Sequence, residues 1–464
     1  MYIIIFKKII LCQLFEHLLK MSKNRIRGIT KEMIQMTIYL IAITVFIIQC
    51  AVMYAIYFKD HQIFKNEMAA AFHVNNNLDQ FFYFLLVPCL NEEKVIQNTL
   101  INLLNLAGQK EIIVIDDDSD DRTVEKIKSM SGPISTVERK LPIARTGKGD
   151  SLNSAMSLVH KIIKQRKLNP NKCIVGVIDA DGILSANCIY KLNNAFEDQR
   201  VDAVQLRVKM KQPKTILQTF QDIEFYTINH LIQLIRGKMN AVALCGNGQF
   251  FRYETVTQKM GLKPWGNALL EDFELTLKFE LNGLRIKYLD DAYVDQEALL
   301  NFKALIRQRS RWAQGGLDCW KYLIAVTKSP IMTKAQKFDT YFFLTQPLLN
   351  VLADFSIIYL TIKYVIYAIG NPDFFFISLF FLIVIGSIFG MIFTLIYLHE
   401  LKITQKANIA IEESDMLNLD MSIGKFLLTV GLLSYIYVVL FLSLMKSIYS
   451  KIRGNTSWSK TKRN

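Results

Sequence analysis

Proline and glycine are too few in this chain, 9 and 21 of 464 residues, for a collagen-like or low-complexity protein. Histidine is scarcer still. Its six residues are scattered and form no HExxH pair, which argues against a zinc hydrolase. The seven cysteines (12, 50, 89, 173, 188, 245 and 319) are odd in number, form no CxxC and lack zinc-finger spacing. That argues against a disulfide scaffold and assigns the bulk of the chain to a reducing compartment. No Walker glycine loop and no GxGxxG occur, so phosphate binding by a glycine cradle is not the mechanism. Residues 3–18 are not expected to be a secretory signal: they are interrupted by Lys7, Lys8 and Glu16 and lack a small-residue cleavage site. Met21 opens a second plausible start.

What is abundant is apolar and basic. Lys+Arg is 55 and Asp+Glu is 41, so the formal charge is 55 − 41 = +14. Such a balance suits nucleic acid, anionic lipid or a phosphorylated substrate. The hydrophobic share, 51%, is high for a soluble enzyme and excludes a disordered chain. Four long apolar runs account for it, at 37–58, 341–369, 374–398 and 426–445. The first holds 22 residues without a charge, enough at ~1.5 Å per residue for a ~30 Å hydrocarbon core. The second carries Asp354 and Lys363. Four such runs predict an integral membrane protein. The expected layout is a basic segment 1–36, a transmembrane helix 37–58, a catalytic domain 82–325, transmembrane helices 341–369, 374–398 and 426–445, and a basic tail 446–464. The basic residues crowd the membrane flanks without an aromatic-studded groove, which speaks against nucleic acid.

Between the first two runs, short β-branched segments alternate with helical ones. Strands are predicted at 83–87, 111–116, 173–179 and 203–210, and helices at 92–106, 121–130, 149–165 and 187–196. This alternation implies an α/β fold with a mostly parallel sheet and helices on both faces. Ligands in such sheets bind beyond the carboxyl ends of the strands. There the loops are acidic: Glu92 and Glu93 after the first strand, residues 116–121 after the second, Asp179 and Asp181 after the third. Clustered carboxylates repel one another unless a cation sits among them. Two carboxylates two residues apart can face one hard divalent ion, with phosphate oxygens completing its shell.

Four motifs then appear in order: VPCLNEE (87–93), VIDDDSDDRT (114–123), IDADG (178–182), and LLEDFELTLKFELNGLRIKYL (269–289) followed by RQRSRWAQGG (307–316). In this the sequence resembles the inverting family-2 glycosyltransferases. It looks most like their membrane-embedded processive branch, the cellulose, hyaluronan and poly-N-acetylglucosamine synthases. The resemblance implies a nucleotide-sugar-binding, Rossmann-like domain of glycosyltransferase A type. It implies donor contacts from Pro88, Asn91, Glu92, Asp117, Lys148, Asp179, Asp181, Gln308, Arg309 and Arg311. Asp179 and Asp181 would hold Mg2+ or Mn2+ against the diphosphate of a UDP-sugar. Asp272 would be the base, with Glu271 beside it. Leu270 stands where the family commonly has threonine.

On the acceptor side the resemblance implies Trp312, Cys245, Gly246 and Asn247. The segment 245–249 departs from the cellulose version and resembles enzymes acting on several acceptors, some of them lipids. Residues 302–323 read as an amphipathic helix lying on the inner membrane surface. The expected protein is a multi-pass cell-membrane enzyme with a cytoplasmic catalytic domain, elongating a β-linked polysaccharide. A synthase acting on diacylglycerol or another lipid, or an inactive membrane subunit, are the rival readings. An accessory membrane subunit is a further expected partner, beside donor, acceptor and bilayer. The basic residues near both ends favour placing both tails inside, which conflicts with one helix before and three after a cytoplasmic domain.

Overall fold

The computed structural model describes residues 78–407 and 423–453. The expected transmembrane helix 37–58, the basic segment 1–36 and the last part of the basic tail lie outside the described residues.

The chain builds an eight-stranded sheet. Its strands are β1 (Phe82–Cys89), β2 (Lys110–Asp117), β3 (Ile134–Arg139), β4 (Cys173–Val177), β5 (Ile183–Leu184), β6 (Ala203–Met210), β7 (Gln249–Arg252) and β8 (Ile286–Gln296). The spatial order is β3-β2-β1-β4-β7-β6-β8-β5. Strands β3, β2, β1 and β4 run parallel, as the strand–helix alternation implied. The other half is mixed. Strand β7 is antiparallel to both β4 and β6, β8 is parallel to β6, and β5 is antiparallel to β8. The expectation of a mostly parallel sheet therefore holds for the first half only. The four-residue β7 has no room to display a period.

Alternation along β1 explains why the sheet is covered on both sides. Tyr83, Leu85 and Val87 pack on helices α1 (Ile96–Asn105) and, across α2 (Thr123–Lys128), on one core. Phe84 and Leu86 point to the other face, against Leu152, Met156 and Val159 of α3 (Lys148–Gln165). Helix α4 (Cys188–Glu197) adds Ile189, Leu192 and Phe196 to the first face. Burial on both faces is why the parallel strands read as continuous apolar runs. Each such side chain contributes roughly 1.5–3 kcal/mol.

After β6 comes α5 (Ile216–Asp222), closed at its start by a Thr215–Gln218 capping box. It continues into a π-helical turn, Ile223–Asn229, and then α6 (His230–Lys238). Helix α7 (Tyr253–Met260) follows β7, and α8 (Glu271–Leu281) precedes β8. Helix α9 (Phe302–Asp318) starts where the Asn301 side chain accepts the Lys303 and Ala304 N–H groups. The predicted helix 302–323 in fact ends at Asp318 and passes through a 3-10 turn, Cys319–Tyr322, into α10 (Leu323–Lys328).

Three long helices close the chain: α11 (Lys334–Ile369), α12 (Pro372–Ala407) and α13 (Ile423–Ile452). They contain the three apolar runs at 341–369, 374–398 and 426–445. Among the described residues, the 23-residue stretch Val430–Ile452 is long and apolar enough to cross a membrane. Helix α13 packs along α9 and α12.

Candidate active site

The ends of β1, β2 and β4 meet at one edge of the sheet, and the loops that leave them are stapled together. Asn91, held at φ 55°, donates from Nδ2 to Asp120 Oδ1 (2.6 Å), and its Oδ1 accepts the Asp120 N–H (2.9 Å). The Glu92 N–H donates to Thr123 Oγ1 at 2.7 Å. Asn91 thus joins two loops at an exposed position and does not line the cleft they enclose. Asp117, at the end of β2, is buried and meets Arg139 at 2.7 Å. Arg139 also reaches Asp150 on α3. Burial raises the Asp117 carboxyl, opposed by the Arg145 N–H and by Arg139, while Asp116 and Asp150 add to the rise.

Asp179 and Asp181 sit one turn beyond β4. The turn is closed by the Gly182 N–H on the Asp179 carbonyl (2.7 Å). It is fastened by the Asp179 N–H to Asn247 Oδ1 (3.1 Å) and by the Glu297 N–H to Asp181 Oδ2 (3.0 Å). Asn247 therefore supports Asp179 from behind and lies outside the cleft lining. Lys148, the first residue of α3, donates to Asp179 Oδ1 (2.5 Å) and to the Gly246 carbonyl (3.1 Å), and lies 3.5 Å from Glu271 Oε1. Burial alone would lower the Lys148 ammonium, but Asp179, Glu271 and Asp272 raise it further than burial lowers it. Two carboxylates facing the cleft fit a hard divalent ion that takes its other ligands from phosphate and water. Among the described residues no third His, Cys, Asp or Glu side chain joins them to complete a protein-only set.

Glu271 and Asp272 open α8. The Asp272 Oδ1 accepts the Phe273 N–H at 2.7 Å. Its carboxyl is pushed up to about 7, first by burial and then by Glu271, with Lys148 opposing. At that value it can accept a proton near neutral pH. The loop 245–248 is pressed against it. A Cβ added to Gly246, at φ 75°, would stand 2.8 Å from Asp272 Oδ2 and 3.5 Å from Lys148 Nζ. Cys245 and Gly246 line the cleft beside Asp272.

Glu274, one turn further, was not singled out by the sequence reading. Fully buried, it accepts the Ala268 N–H (2.8 Å), the Tyr322 hydroxyl (2.9 Å) and the Lys321 ammonium (2.5 Å). These partners hold its carboxyl low against the opposing effect of burial. Glu274 thereby ties the turn before α8 to the turn after α9. A third acid within EDFE was the available signal, though an acidic helix start has a simpler explanation in the helix dipole.

Helix α9 supplies the opposite wall. Gln308, Arg311 and Trp312 share one face at i, i+3 and i+4 and all line the cleft. Burial lowers the Arg311 guanidinium, countered by Glu271, Asp179 and Asp272. Arg309 lies off that face. It is buried and donates to Glu224 Oε2 at 2.8 Å. The wall approaches α8 closely because residue 315 is glycine: a Cβ there would stand 2.3 Å from the Leu270 backbone nitrogen.

One cleft thus collects Pro88, Glu92, Asp117, Lys148, Asp179, Asp181, Cys245, Gly246, Glu271, Asp272, Gln308, Arg311 and Trp312. Asn91, Asn247 and Arg309 stand behind it. Phe225, Leu269, Leu270 and Leu299 also line the cleft and add apolar surface; Phe225 and Leu299 lie outside the motifs.

The family described as "Glycosyltransferase like family 2" matches residues 80–315, half of the chain, so the chain belongs to that family of enzymes. The chain is 28% identical over 254 residues to a beta-monoglucosyldiacylglycerol synthase of Trichormus variabilis, covering 52% of this chain and 51% of that protein. It is 29% identical over 273 residues to a poly-beta-1,6-N-acetyl-D-glucosamine synthase of Staphylococcus aureus, covering 58% and 61%. The matched stretch thus spans about half of the first relative and somewhat more of the second. In structure the chain resembles a mannosyltransferase from Pyrobaculum calidifontis in complex with GDP-Man and Mn2+. The TM-score is 0.50 at 15% identity, covering 89% of this chain and 98% of that one. That likeness concerns the fold, which is of glycosyltransferase A type.

Proposed function

We propose that this family-2 glycosyltransferase is an inverting, metal-dependent enzyme that moves a sugar from a UDP-sugar to an acceptor hydroxyl lying against Trp312. The observation that carries the reading is one cleft in which Asp272, with Glu271 beside it and Gly246 pressed against it, faces Lys148, Asp179 and Arg311; burial and Glu271 raise the Asp272 carboxyl, which suits a base.

The acceptor oxygen attacks the anomeric carbon as the bond from that carbon to the diphosphate oxygen breaks. Asp272 takes the acceptor proton, and UDP departs with the bonding pair. Arg311 and Lys148 meet the negative charge of the diphosphate, Arg311 with a planar fork suited to two oxygens. Asp117, fixed by Arg139, faces the nucleobase end. Bound between Asp179 and Asp181, Mg2+ or Mn2+ would neutralise charge developing on the leaving group. Trp312 offers an aromatic plane to the C–H face of an acceptor sugar.

The acceptor is a growing β-linked polysaccharide in the first reading. The similarity to a poly-N-acetylglucosamine synthase supports it. A lipid acceptor such as diacylglycerol is the second reading. The apolar surface of Phe225, Leu269, Leu270 and Leu299 favours it, as does the likeness to a glycolipid synthase. In both, the C-terminal helices anchor the enzyme to the cell membrane with the catalytic domain on the cytoplasmic side. The apolar stretch Val430–Ile452 supports the anchor, since at ~1.5 Å per residue it extends roughly 35 Å. Membranes containing the full chain, incubated with a panel of radiolabelled UDP-sugars and Mg2+, test the reading. Label in an insoluble polymer supports the first acceptor, and label extracted into organic solvent supports the second. No transfer from any UDP-sugar overturns the proposal.

A further inference from the structure

Arg309 belongs to the densest motif of the chain yet turns its back on the cleft. Its guanidinium is 6% exposed and stacks 4.1 Å from the Trp312 ring centre and 5.1 Å from that of Phe225. Trp312 and Phe225 meet edge to face, with centroids 6.1 Å apart at 72°. Both rings line the cleft. Arg309 Nη2 donates to Glu224 Oε2 (2.8 Å), while its Nε and Nη1 have no hydrogen-bond partner. A guanidinium stripped of water and lying on two aromatic faces is held by its single carboxylate and by the ring quadrupoles.

That carboxylate is anchored in turn from a distant helix. Tyr435 of α13 donates its hydroxyl to the same Glu224 Oε2, at 3.0 Å. The Tyr435 ring stacks on Phe220 of α5, with centroids 5.0 Å apart and planes 23° from parallel. Glu224 itself sits in the π-helical turn Ile223–Asn229, a local departure that puts Glu224 and Phe225 beside α9. The four side chains run without a gap from α13 to the acceptor wall: Tyr435, Glu224, Arg309, Trp312.

The geometry points to Arg309 as a positioning residue that, with Glu224 and Tyr435, sets the plane of Trp312, so that helix α13 fixes the acceptor wall. The role of that wall rests on the function proposed above; the coupling to Trp312 does not. Removing the Tyr435 hydroxyl frees one side of Glu224. Removing the Glu224 charge leaves a buried guanidinium uncompensated. Either change releases the cation from its place over Trp312, while Asp179, Asp181 and Lys148 keep their own partners.

The test uses the full chain in detergent with 5-fluorotryptophan at its four tryptophans, read by 19F NMR. Trp312→Phe assigns the Trp312 resonance. Tyr435→Phe and Glu224→Gln should each shift or broaden that resonance and leave those of Trp265 and Trp320 in place. Arg309→Lys keeps the charge but not the plane, and should do the same. UDP should bind each variant within about 2-fold of the parent. Where the parent transfers sugar, each variant should transfer it ~10- to 100-fold more slowly, the scale of a misplaced wall. An unmoved Trp312 resonance in both Tyr435→Phe and Arg309→Lys overturns the coupling. A moved resonance in a parent that transfers no sugar leaves the coupling standing and removes the function instead.

Discussion

The floor and the wall of the cleft are built in different ways. The floor consists of loops that leave β1, β2 and β4, each a few residues from a strand whose place in the sheet is fixed by apolar pairing. Its acids stand where those strands stop. The wall consists of α9, and its geometry depends on partners far away in the chain: Glu224 85 residues before Arg309, and Tyr435 211 residues beyond Glu224. A floor residue stands at the end of a strand and is fastened there by bonds such as those with Asn247 and Glu297, whereas a wall residue is placed by helices packed behind it. Substitutions in the floor should therefore remove chemistry and leave the fold, and substitutions in the wall should disturb geometry first.

The largest expected effect is in the floor. Asp179→Ala or Asp181→Ala should abolish transfer while the protein retains its circular dichroism. EDTA should abolish transfer by the unsubstituted chain, with recovery on adding Mg2+ or Mn2+. Full transfer by either variant, or undiminished transfer in EDTA, removes the metal role.

The next effect is in the wall and compares two adjacent residues. At Gly315 an added Cβ meets the Leu270 backbone, and at Gly316 it meets nothing within 4 Å. Gly315→Ala should drive α9 away from the start of α8 and lower both transfer and thermal stability. Gly316→Ala should leave transfer intact and stabilise the helix by up to about 1 kcal/mol. Equal behaviour of the two, measured by transfer rate and thermal melt, would mean that the close approach of α8 and α9 is not needed.

A smaller, graded effect follows from the raised Asp272 carboxyl. A base with its midpoint at about 7 loses its ionised form as pH falls. Transfer should then drop about 10-fold per unit well below that midpoint. The same shift has a cost in stability. Asp272 binds its proton more tightly folded than unfolded, so its stabilising effect is fully present below about pH 4 and lost as pH rises through about 7. Asp272→Asn should therefore melt higher than the parent at pH 8, and the difference should vanish in acid. A rate flat from pH 5 to 8 would contradict the shift.

The same division decided what the sequence revealed. Asp117, Asp179 and Asp181 were legible because they lie within a few residues of the end of a β-branched run. Strands β1, β2, β4 and β6 were legible because they alternate with helices, whereas β3, β5 and β8 were not predicted. Strand β7 was also missed, being four residues long without a period of its own. In the wall, the motif named the right helix but not the direction of each side chain. Gln308, Arg311 and Trp312 fall on one face by helical spacing, but Arg309, three residues before Trp312, is turned from the cleft by its bond to Glu224, which spacing does not show. Asn91 and Asn247 were picked out by motif position, yet their side chains bond to Asp120 and to the Asp179 backbone. Glu224 and Tyr435 carry no local signal at all. Their part depends on a π-helical turn and on the packing of α13, which only the folded chain supplies.

The central claim is that Asp272 is the base, and the variant Asp272→Asn tests it most directly. Turnover and UDP affinity should be measured on the same preparation. The account predicts turnover reduced at least ~10²-fold, the usual scale for loss of a general base, with UDP affinity within about 2-fold of the parent. Unchanged turnover would contradict it. So would a collapse of UDP affinity, which would make Asp272 a donor ligand and move the base to Glu271.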